Sequence, residues 1–294
     1  MKINIFKNKC FNCALCNGKK CGGIIPGMGG AGKGLTFINN FISWEKLTAE
    51  GVINRIINPE IIGVAPMTGV DENMGGSISE REFHQKIIKG AMKAGFFSCI
   101  GDGTPEYKLL YGCEALKENK VKGNIIIKPF ENSVIFEKIE KVRNQACAIG
   151  IDIDSVNLIT MDGKAVMNKK NADDLIKIKN YSKCPFIIKG VFSEYDFELV
   201  KQVKPEIAII SNHGGRVFDN GEGTGDILKK YSKSVKNYVK EIWVDGGIRK
   251  KEHILKALEY GADRILIGRP FAVNTILHGI DGVKKFSDEN NLCF

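Results

Sequence analysis

From about residue 60 onward the chain alternates between two hydrophobic rhythms. Short apolar runs rich in β-branched residues span Ile61–Ala65, Phe96–Ile100, Asn124–Lys128, Cys147–Ile153, Pro185–Lys189, Glu206–Ser211, Glu241–Val244 and Arg264–Ile267. They are continuous rather than alternating, as in Ile207-Ala208-Ile209-Ile210. That pattern marks parallel strands covered on both faces. Segments of helical period follow the strands, including Ala172–Tyr181, Asp226–Val239 and Lys251–Tyr260. Ser79 with Glu82, and Ser193 ahead of an acidic stretch, read as helix N-caps; Gly261 sits where a helix C-terminal glycine belongs. Eight such units in roughly 220 residues predict an α/β fold, a closed (β/α)8 TIM barrel, with an open doubly wound sheet as the alternative.

Residues 1–55 follow neither rhythm. They hold Cys10, Cys13, Cys16 and Cys21 and the glycine-rich run Gly27–Gly34. The expected organisation is a short cysteine- and glycine-rich extension over 1–55 and a barrel over 56–294.

In a barrel of this kind function gathers where strands end at the C-terminal face. Asp154, Lys189, Ser211–Arg216, Asp245–Arg249 and Gly268–Pro270 follow five successive predicted strands. The loops after strands seven and eight commonly form a phosphate site. Gly246 and Gly247 let backbone N–H groups approach an anion, and Arg249 and Arg269 offer planar donors suited to phosphate oxygens. His213, flanked by glycines at a strand end, is the candidate general base, with Asp154 placed to hydrogen-bond its imidazole.

Four stretches carry a resemblance: Ile188-Lys189-Gly190-Val191; Ser211-Asn212-His213-Gly214-Gly215-Arg216 with Asp219; Asp245-Gly246-Gly247-Ile248-Arg249; and Gly261-Ala262-Asp263 through Ile267-Gly268-Arg269-Pro270-Phe271. They resemble the FMN-dependent 2-hydroxy-acid dehydrogenase family, which includes glycolate oxidase, lactate oxidase and flavocytochrome b2. The resemblance implies FMN and oxidation of a small 2-hydroxy acid to the 2-oxo acid. By the same resemblance His213 takes the substrate proton with Asp154 as its partner, and Arg216 binds the substrate carboxylate. Lys189 stabilises the anionic reduced flavin. Asp245, Gly246, Gly247, Arg249, Gly268 and Arg269 hold the ribityl phosphate. Ala65, Pro66, Thr68, Ser98, Lys128 and Ser211 complete the cofactor-binding set. Homo-oligomers, often tetramers, are also implied. The chain departs from the family at Phe130, a substrate position usually occupied by tyrosine, at Lys128, usually glutamine, and in the loop after strand four, which lacks the second substrate arginine. Two other readings stay open: a different flavin- and phosphate-binding barrel enzyme, such as the isomerase acting on isopentenyl diphosphate, and a non-enzymatic iron–sulfur protein on the same scaffold.

The Cys10-x2-Cys13-x2-Cys16-x4-Cys21 spacing is compatible with a four-iron four-sulfur cluster, with zinc or with no metal. Gly27–Gly34 approaches a nucleotide-binding P-loop but has Gly34 in place of the metal-binding hydroxyl. Lysines spread along the whole chain account for the formal net charge of +9 without an aromatic-interleaved basic run, so nucleic acid is not the expected partner. No apolar run approaches the roughly 20 residues needed to span a bilayer, and the start lacks a signal-peptide pattern. The expected setting is the cytoplasm, with no membrane partner and an electron acceptor left open.

Overall fold

Eight parallel strands follow one another around a closed barrel in chain order in the computed structural model, which describes residues 36–48, 56–74, 76–158, 161, 163–217 and 221–293. The strands are β1 (Ile62–Val64), β2 (Phe97–Gly101), β3 (Gly123–Ile127), β4 (Ala146–Asp152), β5 (Phe186–Val191), β6 (Ile207–Ile210), β7 (Glu241–Val244) and β8 (Arg264–Ile267). The barrel closes where Ile62 of β1 pairs with Ile265 of β8. The closed alternative among the two expected topologies is therefore the one formed.

The helices are α1 (Thr36–Lys46), α2 (Val70–Asn73), α3 (Glu80–Ala94), α4 (Tyr107–Glu118), α5 (Asn132–Val142), α6 (Ala172–Ser182), α7 (Glu194–Val203), α8 (Thr224–Val235), α9 (Lys251–Glu259), α10 (Arg269–His278) and α11 (Gly282–Glu289). Ser79 caps α3 by accepting from the Glu82 N–H, and Ser193 forms a reciprocal capping box with Asp196 on α7. Gly261 takes the left-handed conformation after α9, with φ of 96°. No helix among the described residues is long and apolar enough to cross a membrane.

The strand side chains divide into two cores. Ala65, Cys99, Ile126, Ala148, Ile187, Ile207, Ile209, Trp243 and Leu266 fill the barrel interior, with Phe97 against them. Their outward-facing neighbours, such as Ile149, Ile188 and Ile265, meet the helices. Because side chains alternate along a strand, each interior residue fixes what stands two positions further toward the mouth. Ile126 leads to Lys128, Gly150 to Asp152, Ile187 to Lys189, Ile209 to Ser211, Trp243 to Asp245 and Leu266 to Gly268. The polar floor of the mouth is thus set by strand periodicity.

Helix α1 lies against the β6 and β7 ends of this mouth. Trp44 is fully buried and its Nε1–H donates to the Gly246 carbonyl at 2.7 Å. Asn40 and Asn212 exchange side-chain hydrogen bonds at 2.9 and 2.8 Å, and the Asn40 oxygen also accepts from the Thr224 N–H. Glycine is required where the backbones meet: a Cβ at Gly247 would stand 2.4 Å from the Asn40 carbonyl oxygen.

Candidate active site

The chain turns sharply after β6. His213, Gly214 and Gly215 all have positive φ, 51°, 62° and 81°. The Asn212 side-chain oxygen receives the Gly215 N–H at 3.0 Å, and the Ser211 hydroxyl receives the His213 N–H at 3.2 Å. This turn carries the imidazole over the barrel mouth.

There His213 lies between two carboxylates. Nδ1 is 2.8 Å from Asp154 Oδ2, and Nε2 is 2.9 Å from Asp152 Oδ2. Two flanking carboxylates favour the ring with a proton on both nitrogens, the imidazolium form. Burial alone lowers the His213 pKa, but Asp152 and then Asp154 outweigh it and hold it above the ordinary 6.5. Asp152 is buried too, yet His213, Lys128 and Lys189 together keep its carboxyl well below the usual range. Its Oδ2 accepts from Lys128 Nζ at 2.7 Å and its Oδ1 from Lys189 Nζ at 3.1 Å. Among the described residues Asp154 has only the imidazole as a cationic contact, and its buried Oδ1 finds no hydrogen-bond partner. Burial therefore dominates there and raises the Asp154 pKa. Asp152 is the firm anion of the pair.

Lys189 lies buried between Asp152 and Asp245, the latter 3.8 Å away, and donates to the Ser211 hydroxyl at 3.1 Å. Burial opposes its charge, but the carboxylates prevail and its pKa is raised. The Ser211 hydroxyl in turn donates to Asp245 at 2.7 Å. Lys128 Nζ also donates to the Ser155 hydroxyl at 2.9 Å and stands 3.4 Å from His213 Nε2. Three carboxylates, two ammoniums and one imidazolium balance in charge, which is how a buried cluster of this size is tolerated. Asp152, Asp154 and His213 place three ligand atoms within 4.8 Å of one another. The two lysines already occupy the Asp152 oxygens where a metal ion would compete.

The cluster floors an open cavity at the barrel mouth. Ala65, Pro66, Thr68, Lys128, Lys189, His213, Arg216, Asp245, Gly246, Gly247, Arg249, Gly268 and Arg269 all line it, as does Asp152. Asp154 and Ser211 stand behind His213 and Lys189. At the β7–β8 end the positive-φ Gly246 and Gly247 lie beside Arg249 and Arg269. Burial pulls the Arg249 guanidinium down to about 10, and among the described residues no carboxylate comes within ion-pair reach of it. A half-buried cation without an acidic partner among the described residues, beside two glycine turns, fits a phosphate dianion. The residues present therefore fit FMN: Arg249 and Arg269 would hold its phosphate, and Lys189 would stabilise negative charge on its reduced ring.

Two expected residues are placed elsewhere. Ser98 falls between Phe97 and Cys99, which face the barrel interior, so it faces outward and lines a separate small cavity with Phe83 and His84. Phe130 is buried in the layer between strands and helices, with Lys138 Nζ 5.0 Å from its ring centroid, and does not line the mouth cavity. Cys10, Cys13, Cys16, Cys21 and Asp219 lie outside the described residues. Asp152 was not among the expected residues; its signal is its place two positions beyond Gly150, on the interior register at the end of β4, with Asp154 on the turn that follows.

Comparison with known proteins bears on the family and the fold. A "2-Hydroxyacid oxidase" of Dictyostelium discoideum is 41% identical over 113 residues, 38% of this chain and 29% of that protein. An "L-lactate oxidase" of Lactobacillus jensenii is 36% identical over 118 residues, 40% of this chain and 29% of that protein. The matched stretch thus spans about three-tenths of the length of these curated relatives. Among solved structures, a mandelate oxidase variant with a monooxide FMN adduct superposes with a TM-score of 0.72 at 19% identity, covering 90% of this chain and 88% of that one. A flavocytochrome b2 variant with pyruvate bound gives 0.73 at 20% identity, covering 91% and 75%; at these identities both show the shared fold. The sequence profile of the FMN-dependent dehydrogenases matches residues 117–289, more than half of the chain and every strand end from β3 to β8. This chain belongs to the FMN-dependent dehydrogenase family.

Proposed function

We propose that this chain oxidises a small 2-hydroxy acid to the corresponding 2-oxo acid. The observation that carries the reading is the convergence of His213, Arg216 and Lys189 on one cavity whose far end presents Arg249 and Arg269. Bound FMN supplies the two-electron acceptor. Arg216 binds the substrate carboxylate, a charge-assisted contact of about 1.5–3 kcal/mol. His213, once neutral, accepts a proton from the substrate at Nε2, and Asp154 at Nδ1 holds the ring and stabilises the charge it gains. Asp152 and Lys128 share the Nε2 edge, so the substrate meets a histidine already biased toward its protonated form. The relatives' printed names support the substrate class, and residues 56–294 form the proposed barrel unit, against which α1 packs.

The test is anaerobic mixing of FMN-loaded protein with lactate, glycolate, mandelate and longer 2-hydroxy acids. Loss of the oxidised-flavin absorbance with at least one of them, abolished in His213→Ala, is the expected result. Flavin that binds but is bleached by none would reject the reading.

A further inference from the structure

We propose that α1 is part of the cofactor site: Phe41 and Phe37 hold the Arg249 and Arg269 guanidiniums in the orientation that receives the FMN phosphate. This rests on the phosphate reading of the β7 and β8 loops and not on hydroxy-acid turnover.

The two arginines come from different loops, yet adjacent side chains of one helix grip both. The Arg249 Cζ lies 5.0 Å from the Phe41 ring centroid, and the Arg269 Cζ lies 4.9 Å from that of Phe37. The rings are four residues apart on one helix face and meet edge to face, with centroids 5.1 Å apart and planes at 85°. Neither guanidinium is left loose behind its ring. Arg249 Nη1 donates to its neighbour Ile248's carbonyl at 2.7 Å, and Arg269 Nη2 donates to the Gly214 carbonyl at 2.6 Å. These contacts fix the planes of the two guanidiniums, and both arginines line the cavity.

The helix that supplies the rings is itself fixed. Trp44 and Asn40 tie it to Gly246, Asn212 and Thr224, and Lys256 Nζ donates to the Trp44 carbonyl near its C-terminal end at 2.8 Å. A cation over an aromatic face is attracted by the ring quadrupole. Holding an arginine in its working rotamer before the ligand arrives removes an ordering cost from binding. The arrangement therefore acts on phosphate affinity, and it leaves the isoalloxazine end of the cavity untouched.

The experiment titrates the full-length apoprotein with FMN and, separately, with riboflavin, which lacks the phosphate, following flavin fluorescence. Phe41→Leu, which keeps the bulk and removes the ring, is expected to raise the FMN Kd roughly 3- to 30-fold and to leave the riboflavin Kd where it was. Phe41→Tyr, which keeps the ring, retains wild-type FMN affinity. Arg249→Lys, which keeps the charge but not the planar stacked group, weakens FMN as Phe41→Leu does and serves should Phe41→Leu not fold. Unchanged FMN affinity in Phe41→Leu or in Arg249→Lys would overturn the proposal. So would equal weakening of both ligands, which marks a merely structural helix. Wild-type protein that binds the two ligands equally would instead refute the phosphate site itself.

Discussion

At the scale of single residues the His213 environment has a kinetic consequence. A general base works in its neutral form, and the folded protein holds His213 above its ordinary pKa. The kcat/KM for a 2-hydroxy acid should therefore rise with pH and level off only above 6.5. Asp152→Asn removes the larger of the two carboxylate contributions while leaving Lys128 and Lys189 nearby, so the rising limb should move to lower pH. A pH–rate profile checks it; an unmoved limb would mean that Asp152 does not govern the base. Arg216→Lys keeps a charge but loses the two-pronged geometry, and kcat/KM should fall roughly 10- to 150-fold. His213, Arg216 and the glycine–arginine loops were legible in the sequence because each combines an unusual residue type with a strand-end position. Asp152 was not, since it reads as one more residue of β4 until the interior register is known. The same register turns Ser98 away from the mouth, and a resemblance transferred position by position does not carry that information.

At the scale of elements, the strand–loop junctions hold the site by excluding side chains. Gly190, at the end of β5, has φ of 90°, and a Cβ there would stand 2.3 Å from Asp154 Oδ1. Gly190→Ala should cost about 1–3 kcal/mol in stability from the backbone conformation and displace the carboxylate behind His213. An earlier thermal transition together with a slower flavin reduction rate is the expected pair of readouts; a variant that melts and turns over like the parent would show that the contact relaxes freely. The β/α alternation itself was readable from the sequence. All eight strands fall within two residues of their expected bounds, because continuous apolar runs between capped helices admit few other arrangements. Helix α1 was not anticipated. Its register is set by Asn40 and Trp44 reaching residues about 170 to 200 positions away, and no local pattern announces such partners.

At the scale of the whole molecule, the barrel encloses its charges in two different ways. The cluster around Asp152 is neutral within itself, so it needs no ligand to be stable. At the far end of the mouth Arg249 and Arg269 stand against α1, the place proposed here for a phosphate. FMN should consequently bind the folded state far better than the unfolded chain. At a concentration one hundred times its Kd it adds about 2.7 kcal/mol, enough to raise the thermal midpoint by about 4 °C. Riboflavin at the same concentration should raise it by less, since it gains nothing from the two arginines. Differential scanning fluorimetry of the apoprotein with each ligand measures this directly. Equal shifts would mean that the arginine-rich end contributes nothing to holding the cofactor, and that the barrel grips the flavin by its ring system alone.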